Sequence, residues 1–365
     1  MVWDGNRNGW LKMRKSNSQF IKFGFRFLAV ILALFFTSIM LVIAKTNPIE
    51  AYKNLLEGSL GSVRSITNTL VVWVPLLLAT LGLLFTYATG LWNIGIEGQI
   101  ILGAIFSTWA LRALQTTAVP PGVAVILAIL AGILGGAIWA ALVGLLRIYG
   151  GVNEIFGGLG LNFVATALTI WLIFSPWKVP GVASMSGTKP FDQAYWLTQI
   201  EGLRLSPWAI IIGVVSLVLV FLVLQGTYFG LRLKAVGKNG KAAHLLGIPT
   251  TGYLMTAFII CGCFAGLAGA IQVVGVYHRL VPLISSGYGY LGMMVAMLVN
   301  FQPLWAALVA LFFAALNIGS IQLQIALKVD STLAGVLQGA LLLFFLMMEG
   351  VRSKYFEAKQ GKQNG

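Results

Sequence analysis

The sequence predicts an all-α membrane protein of about ten transmembrane helices, some of them broken or re-entrant, with a possible inverted repeat. Three observations lead there. Of 365 residues, 58% are hydrophobic and only 9% are charged, whereas a soluble globular chain is about a quarter charged. Apolar runs long enough to cross a bilayer as helices recur along the whole length. These runs do not alternate apolar and polar residues, as a transmembrane β-barrel requires. A soluble core of this size would need a charged shell, and the composition supplies none.

The elements follow in order. Residues 1–26 carry Arg7, Lys12, Arg14, Lys15, Lys22 and Arg26 against the single acid Asp4, a basic N-terminal segment. The first apolar run is 27–44. Val42-Ile43-Ala44 weakly resembles a signal cleavage site, but the run is longer than a usual signal core, so it reads as an uncleaved first span. Further spans are expected near 70–88, 95–112, 122–146, 155–174, 207–225, 253–274, 288–301, 303–320 and 332–349. The eighth is too short for a perpendicular crossing, which suggests a re-entrant or broken segment. A tail follows, 350–365. The segments between spans are too small for a separate folded domain, so 27–349 is one membrane domain.

The formal net charge is +14. In a soluble chain that would suggest nucleic acid. Here the basic residues cluster in loops and termini, as topology signals and contacts for anionic membrane lipid, and no nucleic-acid partner is expected. Placing both termini in the cytoplasm puts 15 Lys/Arg inside and 9 outside. That bias fits a multi-pass protein of the cytoplasmic (inner) membrane. The same orientation makes 175–206, rich in Pro, Gly and Trp, the largest external loop. It makes 226–250, with Arg232, Lys234, Lys238 and Lys241, the largest internal one.

Small residues recur at helix-packing spacing. Gly132/Gly136 and Gly262/Gly266 are both G-x-x-x-G pairs, suited to close helix contact. Cys261 and Cys263 are the only cysteines. Two apart on a helix, they do not face each other, so they read as packing residues without a disulfide or a metal site.

Two polar interruptions stand out. "GLWNIGIEGQIILGA" places Asn93, Glu97 and Gln99 between nearly unbroken apolar runs, and "SSGYGYLGMMVA" opens the eighth span at Tyr288. A carboxylate at mid-membrane depth costs about 2.5–3.5 kcal/mol on insertion scales. A helix starting near Gly95 would place Glu97 in its first turn, where free N–H groups and the helix dipole offset that cost. The alternative, compatible reading is that these residues line a translocation path. One break would face inside and the other outside, the pattern of inverted repeats. Asn153, Glu154 and Asn162 form a second polar set. Asn153 and Glu154 suit capping. Asn162, eight residues after Glu154 and about 80° round the helix, suits a path lining. Trp73, Trp92, Phe163, Tyr288 and Tyr290 are candidate base-stacking rings, although aromatic residues in membranes more often pack.

Catalytic signatures are missing. There is no G-x-x-x-x-G-K-[ST], and "VGKNGKAA" has the wrong spacing for it. There is no H-E-x-x-H, and neither His244 nor His278 has a ligand partner near it in sequence. No nucleophile and base pair is evident. The chain reads as a non-catalytic subunit with no cofactor or metal of its own.

Three motifs, "GLWNIGIEGQIILGA", "GGVNEIFGGLGLNFVA" and "LRLKAVGKNGKAAHLLGI", occur in the order and spacing of one group. The chain resembles the permease subunit of ABC importers of the ribose and branched-chain amino-acid type, most like the nucleoside-uptake permeases, over about residues 50–350. The resemblance implies a second, related permease subunit. It implies a cytoplasmic ABC ATPase carrying ATP and Mg, and an extracytoplasmic substrate-binding protein or lipoprotein. It also implies that 226–250 holds a coupling helix, with Lys234, Ala235, Gly237, Lys238, Asn239, Ala242, Ala243, Leu246 and Gly247 at the ATPase contact. Ala235, Ala242, Ala243 and Leu246 would form its seating face. Two departures stand there: Lys238 replaces the family's acid and Gly240 its proline. Phe156-Gly157-Gly158 departs where the family carries Ser, Thr and Met, which leaves the solute open. A sugar or autoinducer importer of the same type, or an ion-coupled secondary transporter, are the alternatives to nucleoside uptake.

Overall fold

The structure is a computed structural model. It describes residues 28, 31–181, 186–299 and 302–327, with 332, 335–336, 338–340, 342–348, 350–351 and 354 near the C-terminus. The basic segment 1–26, most of the tail 350–365 and part of the tenth expected span lie outside the described residues. Among those described, the ordered elements are all helical.

The helices are α1 (Ile31–Ile43), α2 (Pro48–Leu60), α3 (Val63–Ala88), α4 (Ile96–Leu114), α5 (Pro121–Ile148), α6 (Glu154–Phe174) and α7 (Pro207–Gly226). They continue with α8 (Tyr228–Lys238), α9 (Gly240–Leu245), α10 (Thr250–Ile271), α11 (Tyr288–Leu298) and α12 (Pro303–Leu327). Each of the first nine expected spans coincides with a helix. Six helices among the described residues are long and apolar enough to cross a membrane: α3, α5, α6, α7, α10 with its continuation to Tyr277, and α12. The count of ten is therefore refined. α4 carries Glu97, Gln99 and Arg112, and α11 has only 11 residues.

The chain separates into two compact units. One comprises residues up to Gly58 and from Gly319 onward. Here α1 falls within the first expected span, and the chain then bends by 110° into α2, a helix outside the expected spans. The residue before a proline avoids the α region, and Asn47 precedes Pro48. Lys45 also takes φ 57. The Tyr52 hydroxyl donates to Leu34 O at 2.9 Å across the bend.

The other unit, Ser59–Ile318, contains every candidate site residue. At its centre lies α3, 83% buried over its most apolar window, against 28% for α6 and for α7. Leu76, Leu77, Leu78, Leu81, Leu83 and Leu84 are all fully buried, so α3 is apolar on every face because protein covers every face. Lipid is itself as apolar as leucine, so close packing and hydrogen bonds must hold such a bundle together. The two G-x-x-x-G pairs supply the approach. A Cβ on Gly136 would fall on the Gly262 carbonyl, and one on Gly266 on the Gly132 carbonyl. Thus α5 and α10 cross backbone to backbone, and α4 joins them where Gly103 meets Gly266.

Candidate functional site

The first break follows α3. Thr89 closes that helix through its N–H to Thr86 O, and Gly90 turns the chain at φ 77. The path re-enters as α4. Asn93 and Gln99, both fully buried, exchange their amides: Asn93 Nδ2 donates to Gln99 Oε1 at 3.1 Å and Gln99 Nε2 to Asn93 Oδ1 at 3.0 Å. Asn93 Nδ2 also donates to Cys261 Sγ at 3.1 Å. The two amides form a closed polar unit that ties the break to α10.

The start of α4 has no cap of its own, because its N-cap is Gly95. Asn162 on α6 supplies one. Its Oδ1 accepts from Gly98 N at 2.8 Å, and its Nδ2 donates to Ile94 O at 2.8 Å and to the Tyr290 hydroxyl at 3.4 Å. One side chain from a neighbouring helix thus satisfies a donor and an acceptor that the break exposes. Gly98 leaves room for this: a Cβ there would sit 2.9 Å from Asn162 Oδ1.

The second break follows α10. The helix widens into a π-helix, Gln272–Tyr277, then stops at His278 in the left-handed region with φ 54. π-turns of this kind mark functional sites more often than chance. The chain resumes as α11, whose N-cap, Gly287, also has no capping side chain. Glu97 fills that role, its Oε2 accepting from Gly289 N at 2.8 Å. The Ser285 hydroxyl and the amides of Gly287 and Tyr290 face the same carboxylate.

The arrangement is a relay. α6 caps α4 through Asn162, α4 caps α11 through Glu97, and Tyr290 on α11 reaches back to Asn162. Glu97 therefore stands in the first turn of its own helix and at the start of a second one. Both helix ends place partial positive charge near the carboxylate. Tyr288, 5% exposed, opens α11 beside it.

The structure does not bring the whole predicted set together. Asn153 and Glu154 stand two turns before Asn162, about 12 Å away along the helix. Asn153 is the N-cap of α6, its Oδ1 accepting from Ile155 N at 2.9 Å. Glu154 pairs with Arg147 Nε at 3.0 Å, joining the end of α5 to the start of α6. Of the aromatic candidates, Trp73 donates to Ala307 O at 2.9 Å, inside the packing. Trp92, Phe163 and Tyr290 are exposed by 43%, 69% and 39% and flank the relay in sequence.

A strap from 186–206 closes over the second break. Phe191 N donates to His278 O and Leu197 N to Val274 O, both at 2.9 Å; Thr188 N donates to Leu280 O at 2.9 Å. The Trp196 ring stacks on the His278 ring with centroids 3.7 Å apart and planes 6° apart. Gln199 Nε2 donates to Gly275 O at 3.0 Å and lies 3.2 Å from His278 Nε2. Burial, with the Arg204 charge adding to it, holds His278 down at about 4.

Segment 226–250 forms two helices around Asn239, which closes α8 and caps α9 by accepting from Ala242 N at 3.0 Å. Gly237 lies against the Ala88 carbonyl, so α8 is seated on the end of α3. Lys234 Nζ donates to Leu224 O at 2.6 Å at the end of α7. Gly247 turns the chain at φ 78. Within the expected seating face Ala243 is buried, whereas Ala242 and Leu246 are exposed. Leu245 and Leu246 are exposed by 87% and 81%. Sequence reading missed Leu245, although "HLLG" signals a hydrophobic helix end. It also missed Cys261, Ser285 and Trp196, for which local sequence holds no signal.

Residues 65–346 match the family model described as branched-chain amino acid transport system / permease component. The chain belongs to this permease family. It is of the ABC importer type and its family role is transport, not catalysis. The permease is 30% identical over 350 residues, 93% of its length and 91% of the relative's, to a glucose ABC transporter permease of Haloferax volcanii. It is 28% identical over 301 residues (80% and 82%) to a nucleoside ABC transporter permease of Lactococcus lactis. It is 26% identical over 334 residues (89% and 93%) to a guanosine ABC transporter permease of Bacillus subtilis. A second permease of each of the last two organisms also matches. With six apolar spanning helices, the permease is a multi-pass membrane protein.

Proposed function

We propose that this permease moves a nucleoside inward across the cytoplasmic membrane, and that the relay of Asn162, Glu97 and the start of α11 is its moving part. The single observation that carries this reading is the two breaks, from separate parts of the chain, meeting at one carboxylate. Broken helices inside a bundle frame solute paths. Helices whose starts are capped by each other's side chains cannot shift independently, so closure at one break changes the other.

Trp92 and Phe163, next to relay residues in sequence, and Tyr290 within the relay are the rings that would stack on a flat base. In this reading Asn93 and Gln99 hold the first break rigid, while Asn162, Glu97 and Tyr288 border the path. Asn153 and Glu154 fix the start of α6. The segment 226–250 faces the cytoplasm with both termini. Leu245, Leu246 and Ala242 seat in an ABC ATPase that binds ATP and Mg, with Lys234, Ala235, Gly237, Lys238, Asn239 and Gly247 shaping the contact from within. A second permease and an external binding protein complete the transporter.

The test is uptake of labelled guanosine and labelled glucose by cells with and without the complete transporter. Guanosine uptake that requires this chain, requires ATP and falls several-fold in Phe163→Ala supports the reading. A second reading, glucose uptake, is favoured by the 30% identity to the glucose permease. Chain-dependent glucose uptake without guanosine uptake would establish it instead. Uptake that survives ATP depletion and collapses with the ion gradient would overturn both.

A further inference from the structure

Where α6 ends, a cavity of about 330 Å³ opens between the α6 terminus, the strap and the second break. Lys178, Lys189 and Arg279 line it, and no acid does. None of the three is in an ion pair among the described residues. Its wall is apolar where α6 enters it: Ile173 is buried and Phe174 is half-exposed. Thr188, buried, also lines it and is held by its own bonds to Leu280.

The surroundings place this cavity at a membrane boundary. α6 is a candidate span that ends at Phe174, so the cations stand just past the end of its apolar stretch. Trp109 and Trp171 are exposed by 60% and 56% at the same ends of α4 and α6. Exposed indoles of this kind collect at the headgroup level of a bilayer. The Arg112 guanidinium lies 5.4 Å from the Trp177 ring centroid, another cation and indole pair of that level. An apolar groove of about 390 Å³, lined by Trp109, Leu168 and Trp177 among others, runs along α4 and α6 at this end.

We propose that this cavity holds the phosphate of an anionic phospholipid. Three cations with no acid between them favour an anion. The recess and its apolar wall favour a headgroup joined to hydrocarbon over a flat acidic protein surface. Because Arg279 follows His278 directly, and Thr188 and Lys189 belong to the strap, the bound phosphate would draw the strap and the second break together. The site thus lies next to the moving part without belonging to it.

The test is native mass spectrometry of the full-length permease titrated with phosphatidylglycerol or with phosphatidylcholine of the same acyl chains. The wild-type chain should retain phosphatidylglycerol preferentially. Lys178→Gln/Lys189→Gln/Arg279→Gln should lower that retention roughly a hundred-fold, and Lys178→Gln/Lys189→Gln about thirty-fold, at unchanged phosphatidylcholine retention. Lys241→Gln, on the other loop, should leave both unchanged. If the triple variant fails to fold, the double variant carries the comparison. Equal retention by wild-type and double variant overturns the proposal. So does a double variant that keeps its lipid but loses inorganic phosphate, which would assign the cavity to the free anion. So does one that keeps its lipid but loses polyglutamate, which would assign it to an acidic protein.

Discussion

The two helix breaks solve the same problem with different materials. Each leaves a helix start without a cap of its own, Gly95 before α4 and Gly287 before α11. The first is closed from within its own stretch and by one side chain, with Asn93 against Gln99 and Asn162 on Gly98 and Ile94. The second is closed by Glu97 on one side and by a distant strap on the other. The first break is therefore closed by buried side-chain amides, two of them only six residues apart. The strap bonds the second break through the backbone of Thr188, Phe191 and Leu197 and through the Trp196–His278 stack, so this break is held by a segment far away in the chain. The comparison teaches that two similar breaks are held by partners at very different distances along the chain.

The largest effect tests their connection. Glu97→Leu removes the acceptor for Gly289 and its neighbours and leaves buried N–H groups unpaired, a loss of about 3 kcal/mol. Glu97→Gln keeps an acceptor oxygen and should cost about 1 kcal/mol in denaturant unfolding of the purified permease. Asn162→Leu orphans one donor and one acceptor at the first break, about 2 kcal/mol by the same measurement.

Next, Asn93 and Gln99 satisfy each other. Either one changed to Leu should cost about 1–2 kcal/mol, and the double change less than the sum, because no unpaired amide is then left behind. A strictly additive double-mutant cycle would break the picture of a closed unit.

The smallest effect is at the strap. His278 is held below its ordinary value of 6.5, at about 4, so the unfolded chain binds more protons between those values. Stability should be full above pH 6.5 and decline as the pH falls toward 4. His278→Asn should flatten that part of the profile, measured as the unfolding midpoint against pH. A profile unchanged by the substitution would remove His278 from the strap's energetics.

Much of the first break was legible in the sequence. Asn, Glu and Gln inside an apolar run must find partners, and a helix start near Gly95 accounts for Glu97 in its first turn. The helical class follows from composition, and the G-x-x-x-G pairs signal close helix packing, although only the structure shows that α5 and α10 pack on each other through them. What stayed hidden has one physical cause: partners far apart in sequence. Glu97 and Gly289 are joined across 192 residues. Backbone groups carry the strap's bonds, and every residue type has the same backbone. Ala243 faces inward because α9 follows a turn at Asn239 whose direction only the packed bundle decides.

The central claim is that Glu97 holds the start of α11. It is tested most directly by hydrogen–deuterium exchange of wild-type, Glu97→Gln and Glu97→Leu permease, read over the peptide spanning 285–295. The account predicts faster exchange at 287–290 in Glu97→Leu, a small rise in Glu97→Gln, and unchanged protection at 272–277. Equal protection of 287–290 in all three chains would show that α11 is held by something else, and the relay between the breaks would be withdrawn.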